Sequence, residues 1–243
     1  MSDIVVDEKP EPNPFERLIG VFLWPVRTMQ SIARRPDWLL PLAVIVVVAI
    51  VSSIILTPRM DIEGMLREQM AGRKDVSQEQ IDSMIKVTKK IQPLTAVFGA
   101  AAVPIAVLAA AGLFFVALQM FGGDAKFPQV FSVTAYGWLP IVVQRILLTA
   151  LVIPRARIRP DRIAGLLKSS LGSFLPVGRN PALLTLCSSI DVFVIWTLIL
   201  LIIGYSFAAK LKRGTVAAIV LTIWIVVVLL LTGFAGLGSM MQG

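Results

Sequence analysis

The sequence predicts an all-α membrane protein: five transmembrane helices, with amphipathic interfacial helices at the N-terminus and in two connectors. Three observations predict it. Of the 243 residues, 56% are hydrophobic, well beyond the soluble globular range. The apolar residues gather in five runs, each near the ~20 residues needed to cross ~30 Å of hydrocarbon. Between those runs the chain is polar and basic, and its net charge is +8. Basic residues beside apolar runs point to anionic lipid headgroups and away from nucleic acid.

Residues 1–14 are acidic and rich in proline (Pro10, Pro12, Pro14), which predicts a disordered tail and is opposite in sign to the start of a signal peptide. Residues 15–36 follow as an interfacial amphipathic segment. Phe15, Leu18, Ile19 and Phe22 share one helical face, Val26, Met29 and Ala33 continue the spacing, and Pro25 divides the segment in two. Trp24, Trp38 and Arg34-Arg35 suit the headgroup level, although an amphipathic helix packed on protein has the same pattern.

Residues 37–238 form the five-helix domain, with spans at 38–57, 94–121, 130–153, 183–207 and 215–234. The first is an almost unbroken Leu/Val/Ile run closed by Pro58. Its connector opens a helix at Ser77-Gln-Glu-Gln80, a capping-box start, and Pro93 is expected to end that helix. Ala102, Ala106 and Ala110 give the second span a small-residue face, and Pro104 predicts a kink. Gly122-Gly123-Asp124 makes the next reversal tight, so the second and third spans are antiparallel neighbours.

The third span is the least ordinary. It carries Tyr136, Gly137, Pro140, Gln144 and a full charge, Arg145. A charge at the centre of a spanning helix costs ~3 kcal/mol on insertion scales and needs a partner or water. Asp191, in the fourth span, is the opposite charge nearest to it in another apolar run. Counting helix rise from Ile153 and from Leu183 puts both side chains ~12 Å below one surface, which predicts an ion pair. Arg145, Asp191, Gln144, Tyr136 and Tyr205 are therefore the candidate intramembrane polar site, and Pro104 and Pro140 the candidate kinks. The site could equally be a structural pair that fixes helix register. The second connector carries Arg155, Arg157, Arg159, Arg162 and Lys168 beside Ile163, Leu166, Leu167, Leu171 and Phe174, a surface for lipid headgroups or a partner.

Catalysis finds little to work with. Histidine is absent and Cys187 is the only cysteine, so the usual general base, thiolate zinc sites and HExxH chemistry are excluded together. No GxSxG or phosphate-cradling GxxxxGK occurs, and neither metal nor cofactor is expected.

Three stretches carry a resemblance: Phe15-Glu-Arg-Leu-Ile-Gly-Val-Phe22 through Arg34-Arg-Pro-Asp-Trp38-Leu-Leu-Pro41, then Ala135-Tyr136-Gly-Trp-Leu-Pro140, then Gly204-Tyr205. In these the chain resembles bacterial members of the Yip-domain family, multi-pass relatives of the eukaryotic Rab-interacting Yip proteins. The resemblance implies five spans in a bacterial inner membrane, with a cytoplasmic N-terminus and the C-terminus across the membrane. The charge balance alone leans the other way, because lysine and arginine are more numerous in the two long connectors. The expected function is a non-catalytic scaffold or adaptor that organises membrane, other membrane proteins or its own copies. The alternative is a small transporter or lipid-translocating or lipid-binding protein that uses the region of Arg145 and Asp191.

Overall fold

The computed structural model describes residues 12–70, 76–163, 165–175 and 180–240, and most of the expected tail lies outside them. Chain entry is set by Asn13, whose side chain accepts from the Glu16 amide at 2.9 Å while Glu16 answers the Asn13 amide at 3.2 Å. Helix α1 (Pro14–Leu23) stops at Trp24, and Pro25 opens α2 (Pro25–Arg34). The two halves of this segment sit differently. On α1 the apolar residues Phe15, Ile19 and Leu23 face outward while Arg17 faces in beside Val21, an apolar outer face unlike that of a soluble helix. Helix α2 turns Met29, Ile32 and Ala33 inward, all buried, against α6 (Phe127–Gly137) and α10 (Val192–Ala208).

Helix α3 (Leu39–Leu56) ends in a 3-10 turn, Thr57–Arg59. A short helix, α4 (Ile62–Met70), then packs on the start of α5 (Gln78–Met120), held by Lys89–Glu63 at 2.6 Å and Arg67–Asp82 at 2.9 Å. Lys89 and Arg67 donate to the Glu63 carboxylate and hold its pKa below the usual value.

Helix α5 corrects one expectation. It runs unbroken for 43 residues through both Pro93 and Pro104. A proline deletes one helical hydrogen bond and crowds the preceding turn, which is a cost and not an absolute stop. Here the neighbouring turn gains other bonds: Gln92 Nε2 donates to the Thr57 carbonyl at 2.7 Å and the Thr95 hydroxyl to the Gln92 carbonyl at 2.8 Å.

At the far end Gly122 adopts φ +80° and reverses the chain into α6. Helix α6 breaks at Trp138, and α7 (Leu139–Val152) resumes with Pro140 in its first turn. The second connector holds only a four-residue turn, α8 (Pro160–Ile163), and a 3-10 turn, Leu171–Phe174, among its described residues. The interfacial helix expected there is therefore not one helix. Pro154, Pro160, Gly165 and Gly172 interrupt it too often. Backbone bonds instead tie the two connectors together, Ile158 donating to Arg59 at 2.8 Å and Asp61 to Ile158 at 2.9 Å.

The run expected as the fourth span divides. Helix α9 (Pro181–Ser189) packs on α11 (Arg213–Met240), the chain turns at Ile190, and α10 begins after Asp191. Among the described residues four helical stretches are long and apolar enough to cross a membrane: Leu39–Arg59, Val97–Met120, Phe127–Val152 and Arg213–Leu237. Val192–Ala208 is a shorter apolar helix of 17 residues. In the most apolar windows of the four, only 22–44% of residues are buried. Such a surface is tenable in lipid and not in water.

Burial concentrates where α2, α5, α6, α10 and α11 meet, around Met29, Phe114, Leu118, Val133, Leu200 and Val220. Two glycines permit that closeness. A Cβ on Gly204 would lie 2.4 Å from Val133 Cγ1, and one on Gly137 would lie 2.6 Å from Leu201 Cδ2. Without side chains at both positions, α6 and α10 can approach almost backbone to backbone.

Candidate functional site

The five residues expected to form one polar site occupy four places. Asp191 and Gln144 do meet. The Asp191 side chain is the N-cap of α10, its Oδ1 accepting from the Phe193 amide at 2.8 Å. Its Oδ2 accepts from Ser169 Oγ at 2.5 Å and Gln144 Nε2 at 2.9 Å. Backbone bonds from Leu171 to Ile190 and from Val192 to Ser169 clamp the second connector to the same corner. The carboxylate is 3% exposed and both its oxygens have donors.

Arg145 is not among those donors, which corrects the predicted pair. Two facts account for it. Asp191 starts a helix instead of lying two turns inside one, so the depth count began from the wrong residue. Adjacent positions on α7 also point ~100° apart, so with Gln144 turned to α10, Arg145 faces α3 and α5. No ion pair or hydrogen bond engages the Arg145 guanidinium among the described residues. It lines a cavity of about 530 Å³ walled by α3, α5 and α7, whose other polar side chains are Ser53, Thr57, Gln92 and Thr95.

Tyr205 lies elsewhere, fully buried in the helix core beside Phe114 with ring centres 5.1 Å apart. Thr134 spends its proton on the Val130 carbonyl at 2.7 Å, so the Tyr205 hydroxyl donates to Thr134 at 2.8 Å. This pair ties α6 to α10 where Gly204 lets them touch.

Tyr136 occupies a fourth place, in a cluster that the sequence reading did not identify. Its hydroxyl donates to the Pro14 carbonyl at 3.4 Å and has Arg17 and Asp37 as charged neighbours. Arg17 is only 4% exposed. It donates to the carbonyls of Pro12 at 3.1 Å and Arg35 at 2.8 Å, and to Ser31 Oγ at 2.9 Å. Asp37 Oδ1 lies 3.2 Å from Arg17 Nη1, an ion pair without hydrogen-bond alignment. One arginine thus fastens α1, the end of α2, the entry to α3 and, through Tyr136, α6. The available signal was a basic residue at position 17 beside Glu16 in a mostly apolar helix, and an acid at position 37 beside Trp38.

Two of the stretches that carried the sequence resemblance meet here, Arg17 and Asp37 from the first and Tyr136 from the second, while Gly204 of the third packs against Val133 of the same helix α6. The family model described as the Yip1 domain matches residues 19–235, nearly the whole chain. The chain belongs to the Yip1-domain family. No curated protein and no solved structure gives a match. As a Yip1-domain chain with several helices able to span a bilayer, it is an integral membrane protein.

The remaining candidates lie on the connector side of this Yip1 domain. Arg155, Arg157, Arg162 and Lys168 are exposed, and Arg155 donates to the Leu151 carbonyl. Arg159 pairs with Glu68, joining the second connector to α4. Pro104 lies inside α5 and Pro140 just past the α6–α7 break.

Proposed function

We propose that this Yip1-domain protein is a non-catalytic scaffold or adaptor that gathers other membrane proteins, or further copies of itself, in the plane of the membrane. The observation that carries the reading is the inverted face of α1. Phe15 and Ile19 are 70% and 63% exposed, while the only arginine of that helix is buried. An apolar ridge held in place by an internal ion pair is a docking feature at membrane level, and the deeper polar groups are already spent: Asp191 on capping, Tyr205 on Thr134. Neither offers a relay of titratable groups.

With Val192–Ala208 counted as the fifth span, the chain crosses five times and its termini lie on opposite faces. We place the N-terminus in the cytoplasm and the protein in a bacterial inner membrane, on the family resemblance. The exposed arginines of the second connector then face anionic headgroups across the membrane from the N-terminus.

A photo-crosslinking residue at Ile19, and separately at Leu23, tests the scaffold in living cells. Discrete protein adducts, or a crosslinked dimer, are expected from both positions. Adducts to lipid alone, or a solute flux carried by the purified protein in liposomes, would remove the reading. A reporter fused after Gly243 reads the topology, and a cytoplasmic signal there rejects the proposed orientation.

A further inference from the structure

The cavity beside Arg145 has a feature that the scaffold does not use. It is a chamber of about 530 Å³, within the ~300–1,000 Å³ typical of small-molecule sites, and Arg145 is its one charged lining residue. Across the seam between α3 and α5 lies a second cavity of about 680 Å³, otherwise apolar in its lining apart from Ser53 and Thr57. The two share Ser53, Thr57 and Ala100 as a common wall. That wall is thin because Gly99, Ala100 and Ala101 carry little or no side chain.

We propose that the paired cavities hold one anionic phospholipid, its phosphate on Arg145 and an acyl chain passing through the α3–α5 seam into the outer, apolar cavity. Charge complementarity selects the occupant. Arg145 is exposed on a largely apolar wall with no protein partner among the described residues, so its guanidinium needs an anion at membrane depth, and its planar fork matches a phosphate in two parallel hydrogen bonds. Ser53 and Thr57 offer hydroxyls on the facing wall. Depth agrees with a leaflet lipid: Arg145 lies seven residues before Val152, ~10 Å along the helix from its connector end, and an arginine side chain reaches further toward the headgroups. This proposal is separate from the scaffold reading, which concerns the outer face of α1, so either can fail alone.

The test uses the full-length protein purified in mild detergent with equal amounts of phosphatidylglycerol and phosphatidylcholine, with retained lipid counted by native mass spectrometry. Wild type is expected to keep phosphatidylglycerol in about tenfold preference, the scale of one charge-assisted contact. Arg145→Gln should lose that preference and Arg145→Lys should keep part of it. Gly99→Phe supplies a second variant, because a Cβ at Gly99 meets nothing within 4 Å. It should fill the chamber and lower retention of both lipids without lowering the melting temperature, and it decides the question if Arg145→Gln does not fold. An unchanged preference in Arg145→Gln, or full retention in a folded Gly99→Phe, overturns the proposal. So does displacement of the lipid by inorganic phosphate, which would make the occupant a soluble anion, or by oleate, which would make it a fatty acid.

Discussion

The two ends of the helix bundle are built on opposite plans. At the end where the chain enters, α1 and α2 fold back over the bundle, Arg17 is internal with three hydrogen bonds and an ion pair, and Gly137 and Gly204 let α6 and α10 touch. Aromatic rings close that end, with Trp38 5.4 Å from Phe131 and Phe127 stacked on Phe131 at 5.9 Å. At the connector end α3, α5 and α7 splay around two cavities, and the arginine there has no protein partner among the described residues. Both ends set a guanidinium among apolar residues. One is consumed by its own fold and the other is left for something else, so an arginine among apolar residues is not by itself a site. What matters is whether the surrounding backbone and side chains have already used its donors.

Four changes break or sharpen this contrast. The largest effect is expected from Arg17→Ala, which strands Asp37 and removes the tie between α1, α2 and α6. Loss of a buried pair partner costs about 3–5 kcal/mol, read as a lower unfolding temperature in detergent. Arg145→Ala, with no protein partner to strand, should shift stability by less than about 1 kcal/mol, and equal losses from the two would erase the distinction.

Next is Asp191→Ala, which removes an N-cap and leaves Gln144 and Ser169 without their acceptor. About 2–3 kcal/mol should be lost, with Asp191→Asn retaining part of the cap. If alanine is tolerated, the corner is not a structural one.

Gly204→Val comes third. The added side chain meets Val133 in a packed core and should cost about 2 kcal/mol. Gly99→Ala enters open space in a helix and should instead gain up to about 1 kcal/mol. A matched loss at both glycines would mean that the connector end is as tightly packed as the other.

The smallest effect is one of pH. Bonds from Lys89 and Arg67 hold the folded-state pKa of Glu63 below its ordinary 4.5. The contribution of this carboxylate is therefore present above the unfolded value and fades as the pH falls through the lower, folded one. Hydrogen exchange in residues 62–70 should accelerate on acidification below that range while α6 and α10 stay protected. Simultaneous loss of protection in both regions would show that α4 is not an independent outer layer.

Much of the architecture was legible because lipid imposes a simple rule: apolar runs of sufficient length become helices. The apolar face of α1 and the capping box at Ser77 followed from spacing alone. Other features needed tertiary information. Residues 183–207 read as one run because hydropathy does not register a turn whose backbone is satisfied by a distant strand-like contact, as Ser169 and Leu171 satisfy Val192 and Ile190. Pro93 appeared to end a helix because the bonds that support its turn come from Thr57, 35 positions earlier. The pairing of Arg145 with Asp191 failed on angle: depth was counted, direction was not, and Gln144 already occupied the facing position. Arg17 was hidden because a one-dimensional apolar face does not say which side of a helix meets protein.

The length of α5 has a mechanical meaning. At 1.5 Å per residue its 43 residues make a rod of ~65 Å, about twice the hydrocarbon thickness. Ala100, buried against the α3 seam, sits near its midpoint, and Pro93 and Pro104 remove a hydrogen bond on either side. Geometrically the helix is two arms of nearly equal length on either side of that contact. A tilt of ~5° about Ala100 carries each tip through ~3 Å, by the same helix rise. One tip carries the ion pairs with α4 in the aqueous phase. The other ends at the turn where the Asp124 amide bonds to the Ala209 carbonyl, 3.0 Å away, across the membrane.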